Sequence, residues 1–98
     1  FTSCKLNLAS FFGMKMLKTE FEKCEMVETD FGRADLSGSV FNDCDLKNSI
    51  FDNSNLSKCD FRKTYNYVID PDNNKISKAK FSLIGIPGLL TKYDILIE

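Results

Sequence analysis

Phe31-Gly32-Arg33-Ala34-Asp35-Leu36-Ser37-Gly38-Ser39-Val40-Phe41-Asn42-Asp43-Cys44-Asp45-Leu46 is the stretch that decides the fold. Large apolar residues recur every fifth place, at Phe31, Leu36, Phe41 and Leu46, and a small residue stands two places before each of the last three, at Ala34, Ser39 and Cys44. A period of five matches neither the 3.6 of a helix nor the 2.0 of a strand, so neither element keeps these residues on one side. The backbone must turn once in every repeat.

The same spacing runs outward in both directions. From the first residue the centres are Phe1, Leu6, Phe11, Met16, Phe21, Met26, Phe31, Leu36, Phe41, Leu46, Phe51, Leu56 and Phe61. The position two before each centre is held by Cys4, Ala9, Met14, Thr19, Cys24, Thr29, Ser49, Ser54 and Cys59 outside the opening stretch, small everywhere but at Met14. The other positions are mostly charged, Ser, Asn or Gly. A fixed internal period is the signature of a solenoid, in which each unit buries its apolar side only against its neighbours.

Ala34-Asp35-Leu36-Ser37-Gly38, with the close variants Cys44-Asp45-Leu46, Ser54-Asn55-Leu56 and Cys59-Asp60-Phe61, resembles the pentapeptide-repeat family over about residues 1–65. The resemblance implies an all-β solenoid, a right-handed quadrilateral β-helix with four pentapeptides per coil and the central and small residues pointing inward. Coils then stack at the interstrand spacing of ~4.8 Å. With twenty residues per coil, Phe1, Phe21, Phe41 and Phe61 form one column and Phe11, Phe31 and Phe51 the opposite one. Leu6, Met26 and Leu46 fill a third face, and Met16, Leu36 and Leu56 the fourth. Facing walls then carry like residues, which fills a narrow interior evenly. Phe11-Phe12-Gly13-Met14 departs from the pattern, and a bulge or a partner contact is expected at that corner.

The pattern breaks at Asn66. Residues 66–75, with Asp70-Pro71-Asp72-Asn73-Asn74, read as a turn-rich loop excursion that replaces two faces of the last coil. Ile76 and Phe81 then return in phase with the columns. Residues 76–98 thus form the last partial coil and a cap: a short helix whose first turn is near Pro87, burying Leu89, Leu90 and Tyr93, then a final strand from Asp94 to Glu98. A cap is needed because the last coil otherwise presents unpaired backbone and an open apolar core. The helix-then-strand ending resembles quinolone-resistance pentapeptide-repeat proteins, which implies a homodimer through this end, with Leu83, Leu89, Leu90, Tyr93, Ile95, Leu96 and Ile97 at the interface.

Composition narrows the chemistry. The chain of 98 residues carries a net charge of −1 and no His, so the commonest general base and metal ligand are absent, and neither an enzyme nor a cofactor is expected. A balanced charge gives no field for direct nucleic-acid binding, and no long apolar run predicts a membrane span or a secretory leader. The four Cys fill small inward slots without metal spacing and read as buried free thiols, which favours the cytoplasm. The opening at Phe1, already in phase, suggests that earlier repeats are missing. Glu20, Glu22, Glu25, Glu28, Asp30 and Asp35 form the one notable charge feature, opposed locally by Lys23 and Arg33. By resemblance to gyrase-interacting family members, this acidic surface is a candidate imitation of DNA phosphates, with DNA gyrase as the protein partner and quinolone sensitivity as the readout. The alternative is an interaction scaffold with an unidentified protein partner and no DNA mimicry.

Overall fold

A side chain that must point inward every fifth residue requires a corner every fifth residue, and the backbone supplies one. The computed structural model describes residues 1–98. Two places after nearly every centre the backbone enters the left-handed region, at Ser3, Leu8, Gly13, Lys18, Lys23, Glu28, Arg33, Gly38, Asp43, Asn48, Asn53, Lys58 and Lys78. Many of these turns are closed by an amide donating to the centre's carbonyl, as from Ala34 to Phe31 and from Cys59 to Leu56 at 3.1 Å each. Only Gly13 and Gly38 among them are glycines. The other residues are held there by the coils above and below, since a left-handed L-residue costs ~1–2 kcal/mol by itself.

Between corners the backbone pairs in parallel with the residue twenty places on. Bridges join Lys5 to Glu25, Ser10 to Asp30, Lys15 to Asp35, Asp35 to Asn55 and Asn55 to Lys75. Along one side the pairing is continuous enough to form a three-stranded parallel sheet of β1 (Glu20–Glu22), β2 (Val40–Asp45) and β3 (Asp60–Tyr65). Register is Phe21 on Phe41 between β1 and β2 and Val40 on Asp60 between β2 and β3, with irregularities around Asn42. The chain is a β-helix solenoid measuring 34 × 22 × 22 Å.

Two Phe columns run through the core. Phe1, Phe21, Phe41, Phe61 and Phe81 stack with near-parallel rings, centroids 5.0, 4.8, 5.1 and 5.4 Å apart, and Phe11, Phe31 and Phe51 do so at 5.4 and 5.2 Å. The columns meet edge-on across the interior, as Phe31 and Phe41 do at 6.0 Å and 88°. Both arrangements suit the ring quadrupole. Met26, Leu36, Leu46 and Leu56 are fully buried on the other two sides, while Leu6, Met16 and Ile76 are half-buried toward the ends. Phe1 is half-exposed.

The corner at residues 11–14 carries no bulge. Ser10 and Lys15 pair with Asp30 and Asp35 at the same offset of twenty, so no residue is inserted. Phe12 instead turns outward, its ring over Gly32, where an added Cβ would meet it at 3.0 Å. Met14 is half-exposed because its side of the first coil has nothing stacked on it.

Residues 66–75 leave the repeat, yet the segment returns side chains to the interior: Tyr67 and Ile69 are buried, and the Tyr67 ring lies 5.7 Å from Phe61 and 5.8 Å from Phe81. Asn74 occupies the small inward slot of its column, donating to the carbonyls of Phe51 and Asp70.

The predicted final strand is not formed, and the short helix predicted near Pro87 is present only as 3₁₀ turns. The stretch around Pro87 makes two separate 3₁₀ turns, Ile86–Leu89 and Thr91–Tyr93, and Asp94 closes the second in a left-handed conformation. Glycines at 85 and 88 and Pro87 are poor at propagating a helix. Residues 94–98 make no bridge, because no edge of the same chain lies beside them. Tyr93, predicted to be buried, is half-exposed, while Leu89 and Leu90 are half-buried and Leu89 packs against the core.

Candidate interaction surfaces

The outward positions form ladders twenty residues apart, and the six predicted acidic residues are distributed among several of them. Glu25 lies between Lys5 and Asp45, Asp35 between Lys15 and Asn55, Asp30 between Ser10 and Ile50, Glu22 between Thr2 and Asn42, and Glu20 beside Val40. No acidic stripe results, since lysines precede two of the acids in their own ladders. Glu20, Glu22, Glu25 and Glu28 are exposed, whereas Asp30 and Asp35 are half-buried and already occupied. Asp30 Oδ1 accepts the Gly32 amide at 2.8 Å and Asp35 Oδ1 the Ser37 amide at 3.1 Å. Asp45, Asn55 and Asp60 do the same for Lys47, Ser57 and Arg62. An Asp or Asn before the centre thus satisfies a turn amide within its own repeat, the Asx geometry that favours these residues in turns.

Sequence reasoning missed a second ladder inside the wall. Side chains in the small slot donate to the backbone carbonyl of the centre twenty-three residues earlier: Thr29 to Leu6 at 2.8 Å, Ser39 to Met16 at 2.9 Å, Ser54 to Phe31 at 2.7 Å, Thr64 to Phe41 at 2.6 Å and Ser49 to Met26. Cys24, Cys44 and Cys59 take the same place with Sγ 3.5, 3.4 and 3.0 Å from the carbonyls of Phe1, Phe21 and Leu36. The signal was the abundance of Ser, Thr and Cys over Ala at this slot, which size alone does not explain. All four Cys are free thiols. Burial pushes the Cys44 thiol up to about 11 and the Cys59 thiol up to about 12, so neither is a nucleophile near neutral pH.

The C-terminal end is the most apolar surface. Leu83, Ile84 and Leu96 are 91%, 94% and 89% exposed, and Tyr93, Ile95 and Ile97 about half so. Leu89 and Leu90 are half-buried, and Leu89 packs against the core. A separate polar groove of about 400 Å³ runs between the ladders of Arg33, Asn53 and Asn73 and of Asp35, Asn55 and Lys75. No cluster of His, Cys, Asp or Glu is arranged to hold a metal, and no helix is long and apolar enough to cross a membrane.

The pentapeptide-repeat family model matches residues 4–43 and 29–65, in eight copies. This chain belongs to the pentapeptide-repeat family. The matched span ends at residue 65, although Phe81 still stacks on Phe61 and Asn55 and Asp60 still pair with Lys75 and Lys80. Among solved structures, QnrB1, a plasmid-mediated fluoroquinolone resistance protein, aligns over 97% of this chain and 68% of its own, with 16% identity and a TM-score of 0.29. Membership in the family rests on the repeat match, not on that superposition. No curated protein matches the chain.

Proposed function

We propose that this pentapeptide-repeat chain is a non-enzymatic protein-interaction module, a right-handed quadrilateral β-helix that works in the cytoplasm as a homodimer through its C-terminal end. The observation that carries the reading is the contrast between the mostly polar, mixed-charge walls and the apolar C-terminal end, where Leu83, Ile84 and Leu96 are almost fully exposed. Charged and amide side chains held at a fixed spacing on a rigid wall suit protein recognition, and the apolar end suits a second copy.

Two versions of the partner follow. In the scaffold version the partner reads a mixed-charge wall, and the alternation of acids with Lys5 and Lys15 favours it. In the mimic version the partner is DNA gyrase, and the exposure of Glu20, Glu22, Glu25 and Glu28 supports it. A gyrase supercoiling assay with the whole protein, with and without a quinolone, separates them. Mimicry predicts inhibition, or protection from the drug, that fades with salt and is weakened when Glu20, Glu22 and Glu25 become Gln. An assay unmoved by the parent protein sinks the mimic and leaves the scaffold.

A further inference from the structure

Besides Leu89, which packs against the core, residues 82–98 are attached to the rest of the molecule at three points. One backbone hydrogen bond crosses to them, from the Ile69 amide to the Gly88 carbonyl at 3.0 Å. Lys92 Nζ pairs with the Asp70 carboxylate at 3.0 Å and with Asp72, tying the second 3₁₀ turn to the segment that left the repeat. The third attachment is backbone laid flat on Tyr67. A Cβ at Gly85 would collide with the Tyr67 hydroxyl and stand 2.8 Å from Cζ, and one at Gly88 would collide with the Tyr67 carbonyl oxygen.

Under that cover the Tyr67 hydroxyl has no hydrogen-bond partner. The residue is 4% exposed, so the hydroxyl has given up water and gained nothing in return. Its ring packs beside both Phe61 and Phe81, so the ring favours burial and the hydroxyl opposes it. Residues 91–98 are exposed and, apart from Lys92, add little to hold the cover down.

We propose that residues 82–98 are a lid that opens by local unfolding about Phe81 and Ser82, held shut by the Lys92 clasp and pushed open by the unpaired Tyr67 hydroxyl. Opening returns that hydroxyl to water and bares the end of the Phe column at Phe81. The wall ladders, which do not involve residues 82–98, stay intact.

Native-state hydrogen exchange of the whole protein tests this, because the Ile69 amide exchanges only when Gly88 moves away. The Phe31 amide, bonded to the Ile50 carbonyl at 2.9 Å in mid-solenoid, reports global unfolding. Ile69 should exchange more than roughly 10-fold faster than Phe31, as sub-global openings do. Lys92→Met should raise the Ile69 rate roughly 2- to 10-fold, the span of one or two exposed ion pairs, and leave Phe31 unchanged. Tyr67→Phe keeps the ring and removes the unpaired group, so it should slow Ile69 by roughly 5-fold or more. Gly85→Ala, at an ordinary backbone φ of −85, should strip protection from Ile69 alone. Equal rates at Ile69 and Phe31 in the parent, or a faster Ile69 in Tyr67→Phe, overturns the proposal.

Discussion

Each pentapeptide assigns its five residues separate duties, and substitutions should divide along those lines. Phe41 is fully buried, stacked between Phe21 and Phe61 at 4.8 and 5.1 Å and met edge-on by Phe31. Phe41→Ala leaves a void that the columns cannot close, because the coils above and below fix the backbone. The cost should be about 3–5 kcal/mol, the range for buried Phe truncation. Phe12 is one place after a centre and 56% exposed, and its ring only covers Gly32. Phe12→Ala should cost about 1 kcal/mol or less. Urea unfolding of both variants checks the register, and equal losses would mean that the inward position is misassigned. The Asp or Asn before the centre also has a local task, so Asp30 and Asp35 are poor candidates for partner contact despite their charge.

At the scale of the coil, the inner ladder sets what the small slot demands. Thr64 Oγ1 gives its proton to the buried Phe41 carbonyl at 2.6 Å, binding β3 to β2 from the inside. Thr64→Val preserves shape and removes the donor, leaving that carbonyl without its partner. A loss of about 1–3 kcal/mol is expected from the unpaired acceptor. A neutral result in thermal unfolding would reduce the slot to a matter of size. Size was what the sequence revealed: a period of five with alternating Phe and Leu or Met is a volume pattern, and the columns became legible once the resemblance to pentapeptide repeats implied twenty residues per coil. Hydrogen bonding between residues twenty-three apart leaves no such period in apolar character. The left-handed corners were equally hidden, because Lys18, Lys23, Arg33 and Lys58 adopt that conformation under constraint from neighbouring coils and not by their own preference. The terminal helix and strand were misread for a related reason. Apolar runs rich in Leu and Ile signal burial, and at residues 83–97 the chain's own coils do not supply it.

For the molecule as a whole, that missing cover is the strongest constraint on assembly. Leu83, Ile84 and Leu96 are almost fully exposed at one end of a body only 22 Å wide, and Ile95 and Ile97 flank them. So concentrated an apolar end is unusual for a protein that stays alone, since single exposed apolar residues are ordinary and a contiguous patch is not. A second copy meeting it about a two-fold axis would place each patch on its own counterpart, and a closed pair avoids the open-ended fibres that a head-to-tail contact would generate. The unpaired segment at 94–98 would find in its symmetry mate the strand partner it lacks at home. Leu96→Lys, at an almost fully exposed site, places a like charge on both sides of that axis without touching the coil interior. Combined with Leu90→Glu, it should give a folded monomer whose thermal unfolding no longer depends on concentration, because the linkage between association and stability has been cut. Light scattering at high micromolar concentration decides the matter: a parent protein of twice the chain mass and a double variant of single mass are expected, and a monomeric parent would sink the dimer.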